Sequence, residues 1–447
     1  SGLENTRRTE VCTGRYTMKE KLLGLKKFNL RLWTSLCALS LIPAIYQTVK
    51  TFLISSGSQD KMFDIIGQME WFDLINETLQ AFLIIPLYSI LNKILKNRKE
   101  QFAGSIFKTG LISFAAYTLF SIGVLIYGSV LIKAMNPVDI DITVTARYLQ
   151  LETVAFMVGI IVSFVNVVFV VLGKDKNVYI FLGVRTILSL IADFLLIPSF
   201  HVYGVAISNI ITNTLLAVVS IFILYKQKYI RFSRFRRSDI GIFKEWCRVG
   251  AFSGLQQFAD NLIYAVMVCK MVNMVAEQGN YWVANNFIWG WLLIPITALS
   301  EVIRSDCKDG YQNLKQTNYY LIGGAVVILL AITTPAWLPF FRYAENLSNA
   351  NEIFIITLKL APFYIAYVGC AIIDNIFIGF GKTVYNAVNS LIINLGYYGI
   401  FYVLYLTGSI KFNINTIILM FGFGMVVHLI ISSIQQRFFI KKDCVKN

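Results

Sequence analysis

Four charged residues stand inside long apolar runs of the first half of the chain: Lys50, Glu77, Glu152 and Asp193. A charge surrounded by hydrocarbon is costly, so it faces a protein interior or a water-filled space and takes a partner there. With a rise of about 1.5 Å per helical residue, depth can be read from position. Lys50 lies about five residues from the end of the run 29–55, and Asp193 five residues before Pro198. Glu152 is about seven residues into the run 145–172, and Glu77 about nine into 68–92. The four then share one depth band. Lys50 is expected to face Asp193, with Glu152 or Glu77 nearby, because a carboxylate at the same depth is the least costly partner for a lone ammonium. Such a cluster is either a static ion pair holding helices together or a group that answers to a proton or a bound molecule. The second half offers Asp260 beside Gln256 and Gln257, then Asp374, and the rings of Trp289 and Trp291. Those rings either stack on a flat or cationic ligand or simply pack. No C-x-x-C and no His/Cys cluster suggests a metal, and His428 has no Asp or Glu spaced to partner it. Neither a metal nor an organic cofactor is expected.

The elements that must position these groups are apolar helices. Of 447 residues, 56% are hydrophobic and 15% charged, with a mean hydropathy of +0.63; soluble domains carry about 25% charged residues. Apolar runs long enough to cross roughly 30 Å of hydrocarbon recur throughout. They predict spans at 29–55, 68–92, 104–133, 145–172, 177–198 and 202–225, then 242–275, 280–303, 317–340, 351–380, 384–407 and 413–436. The first 28 residues are polar and basic, without a short apolar h-region or a small-residue cleavage site, so no cleavable signal peptide is expected. The net charge of +15 is a topology signal and not a nucleic-acid footprint. Loops on one side carry Lys93, Lys96, Arg98 and Lys99, Lys174 and Lys176, the run Lys226 to Arg237, and Arg304, Lys308, Lys315 and Lys382. The opposite loops carry Asp60, Asp64, Asp139, Asp141 and Glu277. That is the positive-inside pattern, which places both termini in the cytoplasm of a multi-pass plasma (cytoplasmic, or inner) membrane protein. None of the seven cysteines falls in a convincing outer loop, so disulfides are not expected.

Two matches at nearly one offset point to an internal repeat. Phe82-Leu-Ile-Ile-Pro86 resembles Trp291-Leu-Leu-Ile-Pro295, with the prolines 209 residues apart. Phe169-Val-Val-Leu-Gly-Lys174 resembles Phe377-Ile-Gly-Phe-Gly-Lys382, with the glycines 208 apart. Both matches fall in corresponding spans of a six-plus-six count. Six being even, the halves share one orientation and relate by an axis along the membrane normal, an arrangement whose binding sites lie at the repeat interface. The expected fold is therefore an all-α polytopic membrane protein of about twelve transmembrane helices in two six-helix lobes. Its parts are a cytoplasmic segment 1–28, an N-lobe 29–225, a basic linker 226–241, a C-lobe 242–436 and a tail 437–447.

Three stretches carry a family resemblance. Leu172-Gly-Lys-Asp-Lys-Asn177, with Leu190-Ile-Ala-Asp-Phe-Leu-Leu-Ile197 and Tyr203-Gly-Val-Ala-Ile-Ser208, resembles the loop after helix four and the helix-five and helix-six motifs of the multidrug and toxic compound extrusion (MATE) family. Gln278-Gly-Asn-Tyr-Trp-Val-Ala-Asn-Asn286 is similar to the start of its helix eight. Tyr46-Gln-Thr-Val-Lys-Thr-Phe-Leu-Ile54 is similar to its helix one. The resemblance implies a V-shaped pair of lobes that export amphiphilic or cationic small molecules by alternating access, in antiport with Na⁺ or H⁺. It also implies the lipid bilayer and a small-molecule substrate as partners, and a monomer. Two departures argue against ordinary Na⁺ or H⁺ coupling through the family's N-lobe site: Lys50 stands where helix one usually has Asp, and Ser189 where helix five usually has Asn.

Other classes compete. A flippase for a lipid-linked saccharide must pass an anionic diphosphate, which Lys50, Arg185 and Lys270 would favour. A membrane-embedded enzyme would need a nucleophile–base pair or clustered metal ligands, which the sequence does not offer. A major-facilitator transporter lacks its Gly-x-x-x-Asp-Arg/Lys loop here, where the chain reads Asn92-Lys-Ile-Leu-Lys-Asn-Arg-Lys-Glu100.

Overall fold

The computed structural model describes residues 28–56, 62–97, 99–135, 138, 141–235, 239–275, 277–307, 314 and 316–446. Among these residues there are helices and turns but no strand. Backbone amides in hydrocarbon must be satisfied within their own segment, which is why long apolar runs fold as helices. The first half comprises α1 (Leu30–Ser56), α2 (Met62–Asn97), α3 (Phe102–Ala134), α4 (Ile142–Val171), α5 (Asp175–Phe200) and α6 (Val202–Lys226). In the second half α7 runs as Asp239–Ile263, a π-helical turn Tyr264–Cys269 and Lys270–Met274. Helix α8 runs as Gln278–Leu292 and Ile294–Asp306, bent by 51°. Then come α9 (Gln316–Ala344), α10 (Ala350–Gly379), α11 (Val384–Leu406) and α12 (Ile414–Lys446).

Among the described residues, ten of these helices are long and apolar enough to cross a membrane, and the bent α8 makes an eleventh. Helix α7 is the exception to the expected twelve, because Asp239, Lys244, Glu245 and Arg248 dilute its first turns. The chain is an all-helical, multi-pass membrane protein. Two boundaries differ from the sequence expectation. Helix α2 begins at Met62, six residues before the expected start, because Met62–Gln68 forms an extra helical segment ahead of it. Helix α12 continues through most of the expected tail.

The two sequence matches fall on matching backbone features. Helix α2 breaks at Ile84 and restarts at Ile85–Asn97 with Pro86 second; α8 breaks at Leu293 and restarts at Ile294–Asp306 with Pro295 second. Proline has no N–H and fits the first turn of the new segment. Gly173 and Gly381 each take a positive φ, 67° and 68°, as a C′ glycine does. Each closes the same pair of bonds: Gly173 N–H to Val170 O and Lys174 N–H to Phe169 O, then Gly381 N–H to Ile378 O and Lys382 N–H to Phe377 O.

Contacts between the halves are reciprocal. Helix α1 packs on α5 of its own half and on α8, while α7 packs on α2. The Trp33 indole donates to Pro295 O at 2.9 Å, and the Trp246 indole donates to Leu83 O at 3.1 Å. Trp246 and Cys269 of α7 are thus buried in the two first-half cores, whereas Leu32, Trp33 and Leu36 of α1 pack on the second-half core. Chains of exposed apolar side chains, such as Leu119, Ile126 and Val130 on α3, give the lipid-facing surface.

Candidate functional site

The acidic groups of the first half gather around α2. Glu70, Asp73 and Glu77 recur every three or four residues there and so occupy one helical face. Opposite them, the half-buried Lys50 of α1 lies within electrostatic reach of Tyr46, Asp193, Glu152 and Asp73. Asp193 is fully buried on α5; its Oδ2 accepts the Tyr46 hydroxyl at 2.8 Å, and its Oδ1 has no hydrogen-bond partner among the described residues. Ser189, one turn earlier, also faces that hydroxyl. Glu152, buried on α4, accepts from Asn209 at 2.9 Å and from Tyr148 at 3.2 Å. Lys50 is in none of the ion pairs within 4 Å among the described residues, which are Lys93–Glu245, Lys108–Asp239, Arg304–Glu301 and His428–Asp374. It sits amid the carboxylates without closing on one.

Asp73 and Glu77 are exposed. Yet Asp73 is in reach of Glu70, Glu152, Glu77 and Lys50, on three helices, and Glu77 accepts from Asn261 of α7 at 3.4 Å. Exposed side chains enclosed by α1, α2, α4 and α7 line an internal crevice. Asn261 is itself held by Leu74 O at 2.8 Å and by Thr78 at 3.2 Å, and Gln257 donates to it at 3.0 Å. The structure therefore brings Lys50, Glu152 and Asp193 together. It joins Glu77 to Asn261 and Gln257, and it adds Asp73 where the sequence offered Glu77. Asp73 and Glu70 went unread because the late expected start of α2 put them at a membrane boundary; the extra segment carries them inward. Their spacing with Glu77 was the available signal.

The second-half candidates are tied up differently. Asp374 Oδ2 lies 2.9 Å from His428 Nε2, and its Oδ1 accepts the Ser432 hydroxyl at 2.9 Å. Ser432 accepts from Asn389 at 2.6 Å. This corrects the expectation that His428 lacks a carboxylate: the pair bridges α10 and α12, 54 positions apart in sequence, where no spacing rule reaches. Trp289 meets Tyr364 and Tyr367 edge-on, with centroids at 6.0 and 4.9 Å. The Trp291 indole donates to Thr48 of α1 at 2.9 Å. Gln256 and Asp260 lie on α7, but their side chains are outside the described residues.

On the side that the charge pattern marks as outer, the halves meet closely. A Cβ on Gly67 would come within 2.6 Å of Gln278 O, and one on Gly279 within 2.5 Å of Asp64 Oδ1; small residues are what permit such backbone approach. The Ser55 hydroxyl donates to Glu345 O at 2.6 Å, and Asn346 donates to the Ser56 hydroxyl at 3.3 Å. A cavity of about 220 Å³ lies at the basic connector, lined by Phe235, Ile240 and α3; it is mostly apolar, holds the Lys108–Asp239 pair and shares no residue with the crevice.

Comparison with known proteins gives the fold. No sequence-family model matches the chain, and no curated protein matches it. Solved structures do. A multidrug resistance MATE transporter of the MOP superfamily, in an inward-facing conformation, superposes with a TM-score of 0.73 at 16% identity over 89% of this chain and 94% of its own. A MOP superfamily transporter from Pyrococcus furiosus, described as having a binding pocket of reversed polarity that suggests a different function, gives 0.66 at 16% identity over 96% and 99%. An outward-facing MATE transporter gives 0.65 at 15% identity over 96% and 99%. The chain has the fold of the MATE transporters.

Proposed function

We propose that the protein is a secondary active transporter that exports cationic, amphiphilic small molecules by alternating access, in antiport with H⁺ or Na⁺. The observation that carries this reading is the exposed acidic face of Asp73 and Glu77, inside a crevice walled by four helices of a MATE-type fold. An organic cation entering that crevice exchanges water for carboxylates in a low-dielectric surround, where the attraction is strongest. The reciprocal packing of α1 on α8 and α7 on α2, with the paired proline breaks and glycine caps, supports two six-helix lobes about an axis along the membrane normal. The close contacts at the outer end, with the higher TM-score to the inward-facing relative, support a state closed to the outside. Both termini are then cytoplasmic, and one chain suffices as the transport unit.

The flippase reading rests on Lys50, the one Lys or Arg among the described crevice groups. Several carboxylates surround it, so the crevice favours cations over a diphosphate. The test is uptake of a fluorescent organic cation into everted vesicles holding the full chain, driven by an imposed Na⁺ or H⁺ gradient. Gradient-dependent uptake that falls in Asp73→Asn is the expected result. Uptake indifferent to both gradients, or translocation of a lipid diphosphate instead, overturns the reading.

A further inference from the structure

Glu70 stands one turn before Asp73 on α2 and also lines a second, smaller space against α7 and α8. Its electrostatic neighbours on α2 are Asp73 and Glu77, and on α7 and α8 they are Tyr264, Cys269 and Tyr281. There the three helices enclose a cavity of about 20 Å³, room for one water-sized occupant. Its oxygen-bearing wall is Glu70, Tyr264, Asn273, Gln278, Tyr281 and Asn285. No Lys or Arg lines it among the described residues.

Two further observations point to an occupant. Gln278 is 2% exposed, and its Oε1, an acceptor, finds no donor among the described residues. A buried amide oxygen without a partner is costly, and a cation beside it removes that cost. The helices are also irregular at this place. Helix α2 breaks at Met69, immediately before Glu70, and the π-helical turn of α7 supplies both Tyr264 and Cys269. Irregular turns of this kind concentrate at functional sites, and in membrane transporters they turn backbone oxygens toward ions.

We propose that Glu70 and the oxygens around it bind one small monovalent cation of the size and charge of Na⁺. One carboxylate among neutral amide and hydroxyl oxygens balances a single charge. Among the described residues no group of three or more Asp, Glu, His or Cys is placed to hold a metal ion, which argues against a divalent ion needing several carboxylates. The volume excludes an organic cation, so this site is separate from the crevice. Because α2, α7 and α8 meet here, the ion stabilises the conformation in which they are packed together and biases the equilibrium toward it.

The experiment uses the purified full chain in detergent, with radioactive Na⁺ binding and thermal unfolding followed in NaCl, KCl or choline chloride at constant ionic strength. Na⁺ should bind saturably and raise the unfolding temperature, while K⁺ and choline do not. Glu70→Gln should weaken the apparent Na⁺ affinity by about tenfold or more, and Gln278→Met by several-fold, as expected for loss of a charged and a neutral ligand. If Glu70→Gln does not yield monodisperse protein, Gln278→Met decides. No saturable Na⁺ effect, or wild-type affinity in the variants, overturns the proposal. Loss of binding in Asp193→Asn with retention in Glu70→Gln also overturns it, by placing the ion in the crevice. The uptake assay for the transporter reading scores separately, so the two readings fail independently.

Discussion

The crevice of the first half and the Asp374 network of the second occupy the same fold but settle their charges in opposite ways. Around Asp374 each carboxylate oxygen has a donor, from His428 and Ser432, and the chain of bonds runs on to Asn389. The Asp374 carboxylate is thus fully partnered, although Asn389 at the end of that chain of bonds keeps an unpartnered Oδ1 among the described residues; partnered carboxylates of this kind rigidify their surroundings. Around Lys50 the carboxylates outnumber the cation, Asp193 Oδ1 has no partner, and Asp73 and Glu77 are exposed. Incomplete satisfaction at depth is costly, and it leaves groups free to take a ligand or a proton. On the proposed reading, the crevice binds the cation and the Asp374 network ties α10 to α12.

The largest expected effect comes from removing the crevice's cation. Lys50→Ala leaves several carboxylates without compensation and should destabilise the folded chain by about 2–3 kcal/mol, less than the loss of a closed buried pair, because Lys50 is half-buried and has no carboxylate within 4 Å among the described residues. Thermal unfolding in detergent measures this, and Lys50→Ala combined with Asp193→Asn should recover part of the loss. Unchanged stability in the single variant would make Lys50 an interface anchor and remove the contrast. A smaller effect is expected from Asp374→Asn, which keeps shape but weakens the contacts to His428 and Ser432. It should cost about 1–2 kcal/mol and leave uptake of an organic cation in place.

A pH-dependent effect sharpens the picture of the contact between the halves. Glu345, in the connector between α9 and α10, is 4% exposed, and its Oε2 has no partner among the described residues. Burial pushes its carboxyl up from 4.5 to about 8. Between those values the folded chain holds a proton that the unfolded chain has released, so this contribution is full below 4.5 and is lost as pH rises through about 8. The unfolding temperature should therefore fall with rising pH across that window, and less steeply in Glu345→Gln. Equal slopes in the two proteins would show that Glu345 does not titrate there.

Much of the fold was legible because hydrocarbon imposes a simple rule, and apolar length reports spans directly. The two sequence matches were legible because a proline after a break and a glycine at a helix end leave fixed residues at fixed places, as Pro86, Pro295, Gly173 and Gly381 do. The site was only partly legible. Lys50, Glu152 and Asp193 stand out as charges in apolar runs, and the structure gathers them. Asp73 and Glu70 were hidden by a helix start misplaced by six residues, an error that a short segment set off by a helix break, such as Met62–Gln68, invites. The Asp374–His428 pair and the Glu77–Asn261 contact join helices far apart in sequence, and only packing reveals them.

The central claim is that the crevice around α2 binds the transported cation while the Asp374 network braces α10 against α12. Its most direct measurement is gradient-driven uptake of an organic cation into everted vesicles by the wild type, by Asp73→Asn with Glu77→Gln, and by Asp374→Asn, each normalised to folded protein in the membrane. The account predicts at least about a tenfold loss in the first variant, which for a single transport step corresponds to roughly 1.4 kcal/mol, and near wild-type uptake in the second. Uptake abolished by Asp374→Asn and retained by the α2 variant would contradict it and move the working site to the second half.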